Sequence, residues 1–244
     1  MPKLKTHVLP RIKALLLQGN HSPADHAPVA GAAILPTPRV SDHDRLLFKL
    51  DRMYSHNIVR VNYTTYDVHR KQDTVNSNTY HRDIMVLAEN NDDSAHPFLY
   101  ARVIGIFHVN AVYTGGAMVD YQPRKVEILW VRWFELDMNA PAGSWSNCKL
   151  DRLRFPPMAN EDAFGFLDPA DVVRGCHIIP AFASGKRYLD GRGISPCAKD
   201  SKDWRSYYVN RCVTFSALLS FESNCPLLAL LIAICLCGST GGLL

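Results

Sequence analysis

The chain lacks the signatures of several function classes. Its seven cysteines (Cys148, Cys176, Cys197, Cys212, Cys225, Cys235 and Cys237) include no paired Cys-x-x-Cys knuckles. Their spacing therefore writes in neither a zinc module nor a disulfide framework. Unpatterned thiols fit buried structural positions in a reducing compartment. Neither GxxxxGK[ST] nor GxGxxG occurs, so the ordinary phosphate-cradling loops are missing. The N-terminal stretch MPKLKTHVLPRIKALLLQG does not have a signal peptide's order: Arg11 and Lys13 interrupt it, and its apolar core at 14–17 is short. The apolar run at 227–237 has eleven residues, whereas a spanning helix needs about 20. These absences predict an intracellular protein, nuclear or cytoplasmic, neither secreted nor membrane-anchored.

Catalytic constellations are equally thin. Two-metal phosphoryl chemistry needs carboxylates that converge on divalent ions. Asp92 and Asp93 fall in a turn-like NNDDSAHP segment, and Asp168 and Asp171 fall at a turn or helix start. Cys176 and His177 are adjacent, so on a strand they point to opposite faces and cannot act together as nucleophile and base. No catalytic residue, metal ligand or cofactor is assigned.

What the chain does contain is a pair of long apolar runs, 100–113 and 125–136, separated by Thr114, Gly115, Gly116 and Pro123. Their Val, Ile, Phe, Tyr and Trp content suits a pleated, half-buried surface. Alternation places Ala101, Val103, Gly105, Phe107, Val109 and Ala111 on one apolar face. The second run is apolar on both faces near its middle, which predicts a central strand with Trp130 and Trp133 on opposite sides. Further strands are expected at 58–68, 83–89, 176–183 (with Pro180 at an edge or strand end) and 204–213.

The ends read differently. Residues 19–40 carry Pro23, Pro28, Pro36 and Pro38 among small residues, a linker composition, and residues 1–40 are expected to be a disordered, basic and Pro-rich segment. Leu46, Leu47, Leu50, Met53 and Tyr54 recur near helical spacing behind Ser41 and Asp44, which predicts a short amphipathic helix within 41–57. Residues 214–244 form an atypical apolar tail that can be removed without harm to the fold.

Charge is uneven. The whole chain of 244 residues carries +4, but residues 1–82 hold twelve Lys+Arg against six Asp+Glu. Such a basic third suits nucleic acid or another acidic partner; the plainer reading is a solvated arm. Tyr63, Tyr66, Arg70 and Lys71 mix aromatic and basic groups, a combination that can bind single strands by stacking or simply pack a sheet. With Tyr100, Arg102, Trp130, Arg132 and Trp133 of the two central runs, they make up the candidate binding set.

The segments VNYTTYDV, HPFLYARVIGIFHVN, VEILWVRWFELD, FGFLDPADVVRGCHIIPAFA and DWRSYYVNR closely resemble a family of uncharacterised fungal proteins associated with CACTA-like (Plavaka-type) DNA transposons. The resemblance spans about residues 60–211. The order of motifs is also similar to the accessory domain of plant CACTA transposon proteins. More distantly it is similar to a bromo-adjacent homology barrel, through Val131-Arg132-Trp133-Phe134 and the segment 171–178. That barrel's usual Arg-Pro-Glu after the tryptophan is replaced here by Glu135-Leu136-Asp137. The resemblance implies a mainly β, partly open barrel over 58–213 with a short N-terminal helix. It also implies a non-enzymatic, transposon-derived interaction domain in a nuclear complex with protein, and with chromatin or DNA. The other readings are a degenerate nuclease or transposase-related enzyme, and a protein tethered to a membrane by its tail.

Overall fold

The structure, a computed structural model, describes residues 2–19, 41–64, 68–88, 96–115, 120–137 and 150–210. The expectations for the 20–40 linker, for Tyr66 and for the 214–244 tail lie outside them. The described chain is mainly β, with one N-terminal helix and a sheet curled into a half-barrel.

The two apolar runs pair as expected. Strand β5 (Phe98–Tyr113) runs antiparallel to β6 (Asp120–Trp133), from Ala101↔Trp133 to Tyr113↔Asp120. A register shift between Val103 and Gly105 breaks the simple alternation of β5. Ala101 and Val103 join one core cluster together with Ile106, whereas Val109, Ala111 and Tyr113 join another. One extra residue on one strand is enough to turn every later side chain to the other face. A Cβ at Gly105 would come within 2.6 Å of the Phe107 ring, so a larger residue there would have to move that ring.

Strand β4 (Asp83–Leu87) pairs with the N-terminal half of β5, and β9 (Phe164–Leu167) pairs with β6. On the far side of β4 follow β10 (Val172–Pro180), β11 (Tyr207–Asn210), β8 (Arg152–Arg154) and β7 (Glu135–Leu136). Pro180 closes β10 opposite Tyr207, a position that spares the ladder the N–H that proline lacks. The hairpin of β2 (Ile58–Thr64) and β3 (Arg70–Asn76) forms a separate two-stranded sheet. It buries Val61 and Val75 in the same cluster as Ile84, Val103, Leu129 and Val131.

Two expectations are corrected. Residues 41–57 are not a helix: after a turn at 42–45, β1 (Leu46–His56) pairs with the C-terminal half of β5. The register jumps between Phe48 and Met53, and Leu50 and Asp51 take left-handed φ of 60° and 49°. The helix-like spacing of the apolar residues thus belongs to a bulged strand. Of the five, only Leu46 is buried, while Leu47, Leu50, Met53 and Tyr54 are exposed. The backbone of β5 needs a ladder partner there, and that demand outweighs local propensity.

The second correction concerns the N-terminus, where α1 (Pro2–Gly19) is an ordered helix. Leu4, Val8 and Ile12, at spacings of four, are buried against Leu46, Val109, Val126 and Ile128. Arg11 adds an ion pair to Asp168 at 2.6 Å, and Lys13 one to Asp42 at 2.6 Å. Part of the basic N-terminal charge therefore holds the helix to the sheet.

If α1 is part of the folded unit, Ile12→Ala should destabilise the protein by about 2–5 kcal/mol. Urea unfolding checks this, and an unchanged midpoint would mean that the helix does not dock.

Candidate functional site

One row of the sheet collects most of the charged candidates. Reading across five strands, Cys176 of β10 lies opposite Asp83 of β4, Asp83 opposite Arg102 of β5, Arg102 opposite Arg132 of β6, and Arg132 opposite Phe164 of β9. Two like charges directly opposite repel, so Arg102 and Arg132 need anions. Asp83 supplies one: Arg102 Nε and Nη2 donate to its two carboxylate oxygens at 2.8 and 3.2 Å. Asp203, from the loop before β11, supplies the other. It accepts from Arg132 Nη1 at 2.5 Å and lies 3.5 Å from Arg102 Nη1.

Aromatic rings close this layer. The Arg132 guanidinium sits 3.8 Å from the centre of the Phe155 ring, and Arg102 lies between 5.1 and 5.3 Å from Phe134, Phe155 and Tyr207. Phe134 and Phe155 stack with centroids 4.0 Å apart. Arg132 is completely buried, and Nε and Nη2 have no hydrogen-bond partner among the described residues. Burial works to lower the Arg102 pKa, but Asp83 outweighs it and holds the value above the ordinary range. Burial pushes the Asp203 carboxyl up, against the pull of Arg132 and then Arg102. Burial also raises the Cys176 thiol well above its usual value, with Asp83 adding to the effect, so this cysteine is a poor nucleophile. These are the features of an internal ionic layer rather than of a surface open to a ligand.

The remaining expected site residues scatter. Tyr100 is buried, and its hydroxyl donates to Asp151 at 3.4 Å, beside His96. Trp130 and Trp133 are both half-buried and lie on opposite faces of β6. Trp130 packs toward Phe164, whereas the Trp133 indole covers Gly165 so closely that a Cβ there would meet its Nε1 at 2.7 Å. Both border a groove of about 960 Å³ between α1 and β9, with Phe164, Phe166 and Met158. In the β2–β3 hairpin, Tyr63 lies opposite Lys71 and Thr64 opposite Arg70. Arg70 and Lys71 are exposed, and Arg174 from β10 stacks over the Tyr63 ring at 3.7 Å. The structure therefore brings together Arg102 and Arg132, and separately Tyr63, Arg70 and Lys71, but it does not unite the whole set.

A third feature was not anticipated. Where β10 ends and β11 begins, a cleft of about 630 Å³ opens above Asp83, Arg102 and Tyr207. Its walls carry Arg82, Lys186 and Lys202, together with Tyr80, Phe182 and Trp204. The loops are held by backbone hydrogen bonds from Arg187 N to Asp203 O (2.9 Å), Arg205 N to Gly185 O (3.2 Å) and Ala181 N to Ser206 O (2.9 Å). Lys199 ties the same region to the β3–β4 turn by donating to Ser77 O and Asn78 Oδ1 at 3.0 and 2.9 Å. These residues lie between 77 and 207 in the sequence, so no local motif could announce the cleft. The nearest sequence signal is the run of lysines and arginines at 186–202.

The buried layer yields a direct test. Arg132→Met leaves Asp203 buried without its closest partner and should cost about 3–5 kcal/mol, read by chemical denaturation; a loss under about 1 kcal/mol would contradict the ionic reading.

Compared with protein-family models, curated proteins and solved structures, the chain matches none of them.

Proposed function

We propose that this chain is a non-enzymatic, transposon-derived interaction domain that contributes to a nuclear complex with protein, and with chromatin or DNA. On this reading the half-barrel is a distant relative of the bromo-adjacent homology barrel, and the β2–β3 hairpin with β1 is its contact surface. The observation that carries the proposal is the way charge is divided. Asp83 and Asp203 are engaged inside the sheet by Arg102 and Arg132, and Asp73 is engaged by Arg174 at 3.2 Å. Lys49, Arg52, Arg60, Arg70 and Lys71, in contrast, project from β1, β2 and β3 as exposed cations, with Asp51 the exposed carboxylate among the described residues of those strands. Exposed cations on these strands attract a polyanion and bind it by releasing counterions.

No helix among the described residues is long and apolar enough to cross a membrane, and no observation on the described residues favours the tethered reading. Because α1 and β1 belong to the packed fold, the charge hypothesis is tested by point changes and not by removing the N-terminal third. Replacing Arg60, Arg70 and Lys71 together by Gln should weaken DNA binding and make the slope of log affinity against log salt shallower by about two to three. Retention of nucleic acid with an unchanged slope would move the contact surface elsewhere. Capture of partners from nuclear extract with and without nuclease separates a protein contact from a nucleic-acid contact.

A further inference from the structure

The cleft at the β10–β11 junction has the chemistry of a site for an anion joined to a planar ring. Arg102, on its floor, is neutralised by Asp83. Arg82, Lys186 and Lys202 are not: among the described residues their side chains have no hydrogen-bonded or ion-paired partner. Arg82 is half-buried, and both burial and the neighbouring Arg102 depress its pKa, with Asp83 and Asp203 only partly offsetting them. Lys199, which donates to Ser77 O and Asn78 Oδ1 nearby, is depressed by burial and then by Arg82. Burial holds the His177 imidazole below its usual value, which keeps that wall of the cleft neutral near pH 7. Lys186 and Lys202 are exposed, so Arg82 is the desolvated cation of the three; such a group without a close counter-charge is costly, and an incoming anion would relieve that cost.

The rim is aromatic. Phe182 meets Trp204 edge to face at 5.0 Å, which leaves the Phe182 ring 66% exposed, and Tyr80 is 81% exposed. Exposed rings beside uncompensated cations provide for stacking as well as charge. A volume of about 630 Å³ lies within the range of small-ligand sites.

We infer that this cleft binds a nucleotide, with the phosphate held by Arg82, Lys186 and Lys202 and the base stacked on Phe182. The inference deepens the proposed nucleic-acid contact and rests on that reading, but it uses a different surface from the β1–β3 strands. The shared chemistry is a phosphate attached to a base, whether free or as one unit of a single strand.

The experiment uses the full chain and three probes: a short fluorescent oligothymidine, adenosine monophosphate and inorganic pyrophosphate, with the anisotropy of the labelled strand and calorimetry for the unlabelled probes as readouts. Arg82→Gln should weaken oligonucleotide binding about tenfold, and Phe182→Ala should weaken it about fivefold or more. The second change lies at an exposed ring, so thermal unfolding should be unaltered. Binding of the monophosphate at similar strength assigns a free nucleotide; binding of the oligonucleotide alone assigns a strand. Both support the cleft. Wild-type affinity in both variants would overturn the inference while leaving the β1–β3 reading intact, because the contact would then follow Arg60, Arg70 and Lys71. Pyrophosphate binding that is indifferent to Phe182→Ala would overturn the base-stacking assignment. Failure of the oligonucleotide and the monophosphate to bind at all would overturn the inference, and the proposed function would then rest on protein partners recovered after nuclease treatment.

Discussion

Two buried arginines face each other across the β5–β6 ladder, and the middle of the sheet depends on how their charge is met. Arg102 and Arg132 are register partners, so without anions the pair would repel in a medium that screens poorly. Asp83 answers from β4, and Asp203 answers from a loop some seventy residues further on. That second contact anchors the segment before β11, and Tyr207 strengthens it: its hydroxyl accepts from Trp204 N at 2.8 Å and donates to Asp203 at 3.3 Å. The strand row, the Phe134–Phe155–Tyr207 cluster and the loop that walls the cleft are thereby one mechanical unit. Buried ion pairs add little net stability compared with apolar packing, but they are intolerant of losing a partner. They fix which loop lies over which strand.

The arrangement links fold to function through electrostatics. Asp83 and Asp203 are buried and paired with Arg102 and Arg132, whereas the cations of β1–β3, Lys186 and Lys202 are exposed and Arg82 is half-buried. A chain with a modest overall charge of +4 thus carries exposed cations on β1–β3 and further cations at the cleft, which has rings at its rim.

Some of this was legible from residues alone. The β5–β6 pair was, because long β-branched and aromatic runs leave few alternatives. So was the Asp168-Pro169 turn, where Asp168 accepts from Ala170 N at 2.9 Å at the start of a 3-10 turn. Strand β1 looks helical in sequence because Leu46, Leu50 and Tyr54 are spaced like one side of a helix, whereas the bulge between Phe48 and Met53 accommodates that spacing in a strand. The N-terminal helix is hidden in the sequence because the Pro-rich stretch after it dominates the composition of residues 1–40. Strand β3 was missed because RKQDTVN is polar apart from Val75 and owes its conformation to pairing with β2. Arg102 and Arg132 belong to the candidate binding set, but the structure buries both inside the sheet, and nothing local shows that Asp83 and Asp203 would pair with them there. The cleft was hidden for the same reason: Arg82, Lys186, Lys202 and Phe182 meet only through the β4–β10–β11 order.

The central claim is that this fold turns its cations outward to hold nucleic acid. The most direct measurement is ultraviolet crosslinking of the full chain to single-stranded DNA, followed by mass spectrometry of the adduct-bearing peptides. The account predicts adducts on peptides carrying Tyr80, Phe182 or Trp204 and on those of the β2–β3 hairpin. Adducts confined to the groove between α1 and β9, or their complete absence, would contradict it.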